Sequence, residues 1–226
     1  MDARTPSSRK PTSSLPSSTT STAQDDFRPV AATAKGNERI ASMLEIGRTI
    51  LLEQGVAQLT LRNVARTAGI RLFNLQHYFP SQTELLRAAI VQTIKHFETA
   101  AIEQLDGPTS RAPKTLFVDT CRYYLRLNRK RHVRILFFEL GALAQRDEVV
   151  QRILHDAYQP YRDRLNPLIE AVNPELTRAE RARRVDFITA ALEGTMYVLN
   201  TQSTDDGDED PSEKRFLSYL LTIATS

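Results

Sequence analysis

The stretch AGIRLFNLQHYFPSQTELL, residues 68–86, contains a glycine, a short helical run and a Pro-Ser break before a new helix begins. At about 100° per residue, Leu72, Leu75 and Phe79 fall on one side of a helix, and Phe73 falls on the opposite side among polar residues. The first side can pack on neighbouring helices, and the second is left to contact something else. Two short helices joined by a glycine turn, the second with a polar outer face, predict a helix-turn-helix motif.

The outward residues of this motif are suited to reading double-stranded DNA. Arg71 can reach a guanine or a phosphate, Asn74 can pair with an adenine, and Phe73 can contact a thymine methyl group. The local pattern leaves a second interpretation open, in which a partly exposed three-helix motif contacts another protein. The predicted DNA-binding residues, which include phosphate contacts from neighbouring helix starts, are Thr60, Arg62, Arg71, Phe73, Asn74, Gln76, His77, Tyr78 and Gln82.

Local helix signals frame the motif on both sides. The apolar spacing that begins at Asn37 predicts a first helix. Thr60 is a natural N-cap for a second helix, and Gly69 ends it. Ser81, followed by a glutamate three residues later, predicts the start of a long fourth helix. We therefore expect the DNA-binding domain to span residues 37–82.

The segments on either side of this domain differ in composition. Residues 1–36 are rich in Ser, Thr and Pro and have almost no large apolar side chains, which predicts a disordered tail. Residues 83–226 predict a larger helical domain, and because strand signals are nearly absent the whole chain is predicted to be all-α. Pro160 and Pro167 should kink or split one helix of that domain. After the fourth helix we expect helices over residues 113–128, 131–145, 147–172, 177–201 and 212–224.

Composition indicates an ordinary soluble protein. Of the 226 residues, 41% are hydrophobic and 25% charged, and no apolar run approaches the roughly 18 residues that a membrane helix needs. We therefore expect no membrane association and a cytoplasmic location. The single cysteine cannot form an internal disulfide. The net charge is only +3, but Lys and Arg outnumber Asp and Glu by 10 to 6 in residues 1–82, as expected for a segment that meets a polyanion.

The segment LTLRNVARTAGIRLFNLQHYFPSQTELL, residues 59–86, closely resembles the N-terminal signature of the tetracycline-repressor (TetR) family of bacterial regulators. The total length and the all-α remainder resemble that family as well. The resemblance implies a homodimer on a palindromic DNA operator, usually a repressor, that is released by an unidentified small-molecule effector bound in the C-terminal domain. The residues that carry the resemblance are Thr60, Val64, Ala65, Ala68, Gly69, Leu75, His77, Phe79, Ser81 and Leu85.

The sequence departs from the family pattern where specificity is expected. Phe73 stands where the family commonly has glycine, and Asn74 where it has Ser or Thr. Gln76 replaces a common tyrosine, and Gln82 replaces a lysine that would contact a phosphate. We therefore expect an operator of the protein's own rather than one shared with relatives.

The resemblance also implies an effector cavity and a dimer interface in the C-terminal domain, although apolar stripes at helical spacing usually only form a core. The predicted ligand-lining residues are Cys121, Tyr124, Phe137, Phe138 and Met196. The helix over residues 177–201 has two apolar faces, so it should be covered on both, and small residues would let a partner helix approach closely. The predicted dimer-interface residues are Phe187, Ala190, Ala191, Gly194, Tyr197, Phe216 and Leu220.

Other classes of function have little support in the sequence. It has no Walker loop, no G-x-S-x-G and no dinucleotide glycine pattern, so we expect no enzyme and no cofactor. His96, His132 and His155 lack metal-ligand spacing, so no metal site is expected. The acidic run DDGDED, residues 205–210, lacks the calcium-loop pattern and is predicted to be a solvated connector. The remaining alternatives are a helix-turn-helix interaction module and a regulator without an effector.

Overall fold

A computed structural model describes residues 33–105, 111–198 and 211–226, together with the isolated Pro29. No strand occurs within these ranges, so the all-α prediction is confirmed for them. Most of the predicted tail, the end of the helix predicted over 177–201 and the acidic run 205–210 lie outside the described residues. Within the described part of the chain, no helix is long and apolar enough to cross a membrane.

Within these described ranges, ten α-helices follow one another. They are α1 Ala34–Gln54, α2 Leu61–Thr67, α3 Leu72–Gln76, α4 Gln82–Leu105, α5 Pro113–Arg129, α6 Arg131–Ala144, α7 Glu148–Ala157, α8 Gln159–Val172, α9 Arg178–Val198 and α10 Pro211–Thr225, and a 3-10 turn, Val56–Gln58, follows α1. Helix α1 begins three residues before the predicted start, because the Thr33 hydroxyl caps it by accepting a hydrogen bond from the Gly36 N–H at 3.1 Å.

The helix predicted over residues 147–172, which its prolines were expected to kink or split, is split into two helices. Helix α7 ends at Ala157, and α8 begins at Gln159 with Pro160 in its first turn, where the missing N–H costs nothing. Pro167 lies inside α8, and the helix continues through it. Of the two prolines, only Pro160 therefore marks a break.

Two hydrophobic cores hold the helices together. The first core combines α1–α4 with α6 and α7, and the second combines α5, α8, α9 and α10. Apolar packing therefore does not stop at the predicted domain boundary between residues 82 and 83, because α6 packs against α1 and α7 packs against α4 in this shared core. Leu136 and Leu140 of α6 are buried members of the first core.

Three charged contacts tie distant helices together. Arg87 of α4 donates two hydrogen bonds of 3.1 Å to Asp147, which caps α7. Glu139 of α6 accepts a hydrogen bond of 2.8 Å from the backbone N–H of Val56, just after α1. Near the start of α10, the buried Glu213 accepts hydrogen bonds from Arg126 and from Arg129 of α5.

Candidate nucleic-acid interface and ligand cavity

Local capping sets the geometry of α2 and α3. Thr60 is extended, and its hydroxyl accepts a hydrogen bond of 3.1 Å from the Asn63 N–H, as predicted for the N-cap of α2. Gly69 ends this helix at a φ of 65°, a left-handed conformation that favours glycine. The Ile70 N–H then donates to the Ala65 carbonyl at 3.0 Å, which closes the turn before α3.

Helix α3 has the two faces that the sequence predicts. Leu75 is fully buried in the first core, together with Phe79 just beyond the helix, and Leu72 is partly buried against it. On the opposite face, 79% of Phe73 is exposed. Helix α3 therefore leaves one large apolar side chain in solvent, beside the polar side chains of the same face.

The other predicted DNA-binding residues are mostly exposed around Phe73. Among the described residues, the side chains of Arg71, Asn74 and Gln76 have no hydrogen-bond partner, so their polar groups are available. Thr60 and Tyr78 are half-buried, and the Thr60 hydroxyl is already used as a cap. The fully exposed members of the set are Arg62, Arg71, Phe73, Asn74, Gln76, His77 and Gln82.

A shallow hollow of about 520 Å³ brings part of this set together with α1. Two α1 residues that line it, Arg39 and Ser42, were missed by the sequence reasoning, because only the folded chain brings α1 beside α3. The hollow is lined by Arg39, Ser42, Met43, Ala68, Ile70, Phe73, Asn74, His77 and Tyr78.

Helix α4 begins with a reciprocal cap. The Ser81 hydroxyl accepts a hydrogen bond of 3.2 Å from the Glu84 N–H, and the Glu84 carboxylate accepts one of 3.1 Å from the Ser81 N–H. The sequence predicted this start, and Gln82 is the first residue of the helix, exposed to solvent.

A second cavity lies among α4, α5, α6, α8 and α9 and has a volume of about 150 Å³. Its walls are largely apolar and aromatic, and its polar groups come from α4, α5, α8 and α9. It is lined by Ile94, Phe97, Glu98, Ala101, Ile102, Tyr124, Leu127, Asn128, Phe137, Ala157, Tyr158, Pro160, Tyr161, Arg164 and Glu193.

Glu193 contributes a hydrogen-bonded carboxylate to the lining of this cavity. Its carboxylate accepts a hydrogen bond of 2.9 Å from the Tyr158 hydroxyl and one of 3.2 Å from the Asn128 side-chain amide. Burial raises the pKa of the Glu193 carboxyl, and these two hydrogen bonds act against the rise.

Two further tyrosines meet in the cavity wall. The rings of Tyr124 and Tyr161 lie 3.7 Å apart between centroids. Burial raises the pKa of the Tyr124 hydroxyl to about 12. The Tyr161 hydroxyl is buried and has no hydrogen-bond partner among the described residues, although it borders the cavity. An unsatisfied buried hydroxyl is uncommon, and this one can hydrogen-bond to a molecule that enters the cavity.

Of the five residues predicted to contact a ligand, Tyr124 and Phe137 line this cavity and three do not. Cys121 is fully buried in the second core, where burial raises the pKa of its thiol. Met196 is buried and Phe138 is partly exposed, away from the cavity lining. The expectation for these three is corrected, because the faces that enclose the cavity depend on how five helices meet.

Apart from Tyr124, the polar residues of the cavity were missed by the sequence reasoning. Tyr158, Tyr161 and Arg164 recur every three residues, which is a helical signal that could have indicated a shared face. Glu193 and Asn128 gave no such signal, because they come from different helices.

The outer face of α9 carries an exposed apolar stripe. Phe187 is 67% exposed and Tyr197 is 73% exposed, and the Tyr197 ring lies 4.5 Å from that of Phe138. Ala190 is exposed, and Ala191 and Gly194 are half-buried. On α10, Phe216 is half-buried. Leu220 is 1% exposed and belongs to the second core, so its predicted place in the dimer interface is corrected.

Metal ligands are not grouped in the described ranges, where no three His, Cys, Asp or Glu side chains are placed to hold an ion.

Comparisons with known proteins show the fold but no close relative. No family model matches the sequence, and no curated protein matches it. Among solved structures, a Rhodococcus sp. protein assigned to the TetR family of transcriptional regulators has a TM-score of 0.56 at 16% identity, covering 83% of this chain and 97% of that one.

Two other solved structures agree. FadR from Bacillus subtilis, in complex with stearoyl-CoA, has a TM-score of 0.58 at 16% identity, over 82% of this chain and 97% of that chain. SCO7518 from Streptomyces coelicolor A3(2), described as a transcriptional regulator, has a TM-score of 0.60 at 17% identity, over 84% and 99%. The chain therefore has the fold of the TetR-type transcriptional regulators.

Proposed function

We propose that this protein is a sequence-specific DNA-binding transcriptional regulator, a repressor that binds a palindromic operator as a homodimer and is released by a small-molecule effector. One observation carries the proposal. Phe73, Arg71 and Asn74 project from the outer face of a helix-turn-helix with no protein partner, although that helix is firmly buried on its other face.

Helix α3 is proposed to enter the major groove. Its five residues make about 1.5 turns, so only the side chains near its start can reach base edges together. Arg71 would contact guanine or a phosphate, Asn74 adenine, and Phe73 a thymine methyl group. Arg39, beside the same hollow, adds a further cation for the DNA backbone.

The flanking residues are proposed to position the protein on phosphates. Arg62 and Gln82 are exposed near the starts of α2 and α4, where helix N-termini favour anions. His77 and Tyr78 follow α3, and their rings pack edge to face at 5.2 Å. Since the Thr60 hydroxyl is used as a cap, its contribution would be to hold the α2 N-terminus in place.

The stripe on α9 supports the homodimer. Phe187 and Tyr197 are too exposed for a stable free surface, and the small Ala190 and Gly194 lie between them on the same helix. Two copies facing each other across this stripe would bury the apolar side chains and separate two DNA-binding units, as a palindrome requires.

The two alternatives are a helix-turn-helix interaction module and a regulator without an effector. Selection of bound sequences from random DNA separates the first from the proposal, since a regulator should enrich a palindrome and lose affinity steeply with salt. Enrichment of no sequence would contradict DNA reading. We also propose that the protein has no catalytic activity and acts in the cytoplasm, beside the DNA.

Asn74→Ala tests the reading face on the enriched operator. Losing an adenine contact should cost about 1 to 3 kcal/mol of binding free energy and relax specificity at one position. Gln151→Ala, an exposed amide on α7, is the matched control and should bind as the natural chain does. Equal affinities of the two variants in a fluorescence anisotropy titration would remove Asn74 from the reading face.

A further inference from the structure

The cavity among α4, α5, α6, α8 and α9 has an excess of negative charge. Its charged lining residues are two carboxylates, Glu98 and Glu193, and one guanidinium, that of Arg164. Arg164 lowers and Glu98 raises the pKa of the Tyr124 hydroxyl beside them. The other carboxylate, Glu193, forms no ion pair with Lys or Arg within the described part of the chain.

Glu193 is satisfied only by neutral donors. Its hydrogen bonds come from the Tyr158 hydroxyl and the Asn128 amide, and within the described part of the chain it forms no ion pair with Lys or Arg. A carboxylate has about four lone-pair sites, so two such bonds leave room for another donor. A hydrogen bond from a cationic donor to a carboxylate is stronger than one from a neutral donor, so a cation suits the remaining lone pairs best.

The rest of the cavity suits a cation with an apolar body. Five aromatic rings line it, and the electron-rich face of such rings attracts cations at distances up to about 6 Å. The partnerless Tyr161 hydroxyl oxygen can accept a hydrogen bond from an ammonium group. The five rings are those of Phe97, Tyr124, Phe137, Tyr158 and Tyr161.

We propose that the effector of this protein is a small organic cation, with its ammonium group on Glu193 and its apolar body against the aromatic wall. The proposal rests on the function proposed above, in which the cavity takes an effector. The volume of about 150 Å³ sets the size, since a cavity of that volume holds a single benzene-sized ring. An arylalkylamine with one ring therefore fits the chemistry and the space.

Ligands of the other charge classes fit less well. An anion would place a second negative charge beside Glu193 in a poorly solvated space. A neutral molecule of the same shape would fill the apolar volume but leave the carboxylate without a counterion. A long acyl chain exceeds the volume of the cavity.

Three probes of nearly equal size test the charge class on the natural chain. Phenethylamine is a cation, 2-phenylethanol is neutral and phenylacetate is an anion at pH 7. In isothermal titration calorimetry with the full-length protein, phenethylamine should bind at least about tenfold more tightly than either other probe. Because this comparison needs no variant, it does not depend on whether a substituted chain folds.

Glu193→Gln then tests whether the preference for the cationic probe depends on the Glu193 carboxylate. This variant should weaken phenethylamine binding by about tenfold or more and change 2-phenylethanol binding by less than about twofold. Glu175→Gln removes an exposed carboxylate outside the cavity lining and should leave all three affinities unchanged. A thermal melt of each variant identifies any that is unfolded.

Each outcome supports or overturns the proposal. Equal or tighter binding of 2-phenylethanol or phenylacetate, a cation preference that survives in Glu193→Gln, or no binding of any probe at millimolar concentration would overturn it. Direct calorimetry needs no DNA, so the two proposals fail separately. A protein that selects a palindrome but shows no cation preference refutes the effector class alone, and one that binds phenethylamine but enriches no DNA refutes the regulator.

Discussion

Polar side chains lie on the outer face of α3 and on the inner face at the start of α8, but only the second group is hydrogen-bonded to other parts of the protein. On α3, Arg71 and Asn74 have no protein partner and face solvent. Just before α8, Tyr158 donates a hydrogen bond to Glu193, which lies 35 residues further along the chain. Side chains of the first kind can change without disturbing the fold. Those of the second kind support the packing of several helices, so their substitution changes stability as well as binding.

The largest effect is expected from the two faces of α3. Leu75→Ala removes a fully buried side chain from the first core and should lower the free energy of unfolding by about 3 kcal/mol. Phe73→Ala, on the exposed face, should change it by less than about 0.5 kcal/mol while weakening DNA binding. Urea denaturation measures both. Equal losses in the two variants would contradict the assignment of an inner and an outer face.

A smaller loss of stability is expected at the contact between the end of α1 and helix α6. Gly55 has a φ of 86° and a ψ of 173°, and a Cβ there would lie 2.9 Å from the Glu139 carboxylate. Gly55→Ala should therefore lower the free energy of unfolding by about 2 kcal/mol, since only glycine adopts this conformation readily. Gly141→Ala, in a helical position with open space around it, should instead stabilise α6 by up to about 1 kcal/mol. A neutral Gly55→Ala in thermal unfolding would show that the contact with α6 is unimportant.

The smallest change in unfolding free energy is expected when the hydroxyl groups of two cavity tyrosines are removed one at a time. Tyr158→Phe removes a hydrogen bond to a buried carboxylate and should cost about 1.5 kcal/mol of unfolding free energy. Tyr161→Phe removes a hydroxyl with no partner among the described residues, so the change should stay within about 0.5 kcal/mol. If chemical denaturation gives equal losses for the two variants, the difference in their hydrogen bonding has no energetic consequence.

The DNA-binding part was predictable because its signals are local. Thr60, Gly69 and the Ser81–Glu84 cap each act within about three residues, so the sequence alone indicates where α2 and α4 begin and where α2 ends. The alternation around Leu75 is equally local, since one turn of helix separates its two faces.

The cavity was less predictable because it depends on contacts between distant residues. Asn128 and Glu193 lie 65 residues apart and meet only after α5 and α9 pack. Leu220 shows the same limit, since the apolar spacing of α10 does not reveal whether its apolar side packs within the subunit or against a partner. The burial of Cys121 in the second core was not evident from the sequence for the same reason.

Helix α6 touches both proposed binding regions. Leu136 and Leu140 pack in the first core, and Phe137 lines the cavity. The Glu139 carboxylate accepts a hydrogen bond from the backbone N–H of Val56, which follows α1. Because a helix moves as a unit, a ligand that shifts Phe137 would also shift the support of the DNA-binding helices. Thermodynamic linkage then requires reciprocity. If the effector lowers the affinity for the operator by a certain factor, the operator lowers the affinity for the effector by the same factor.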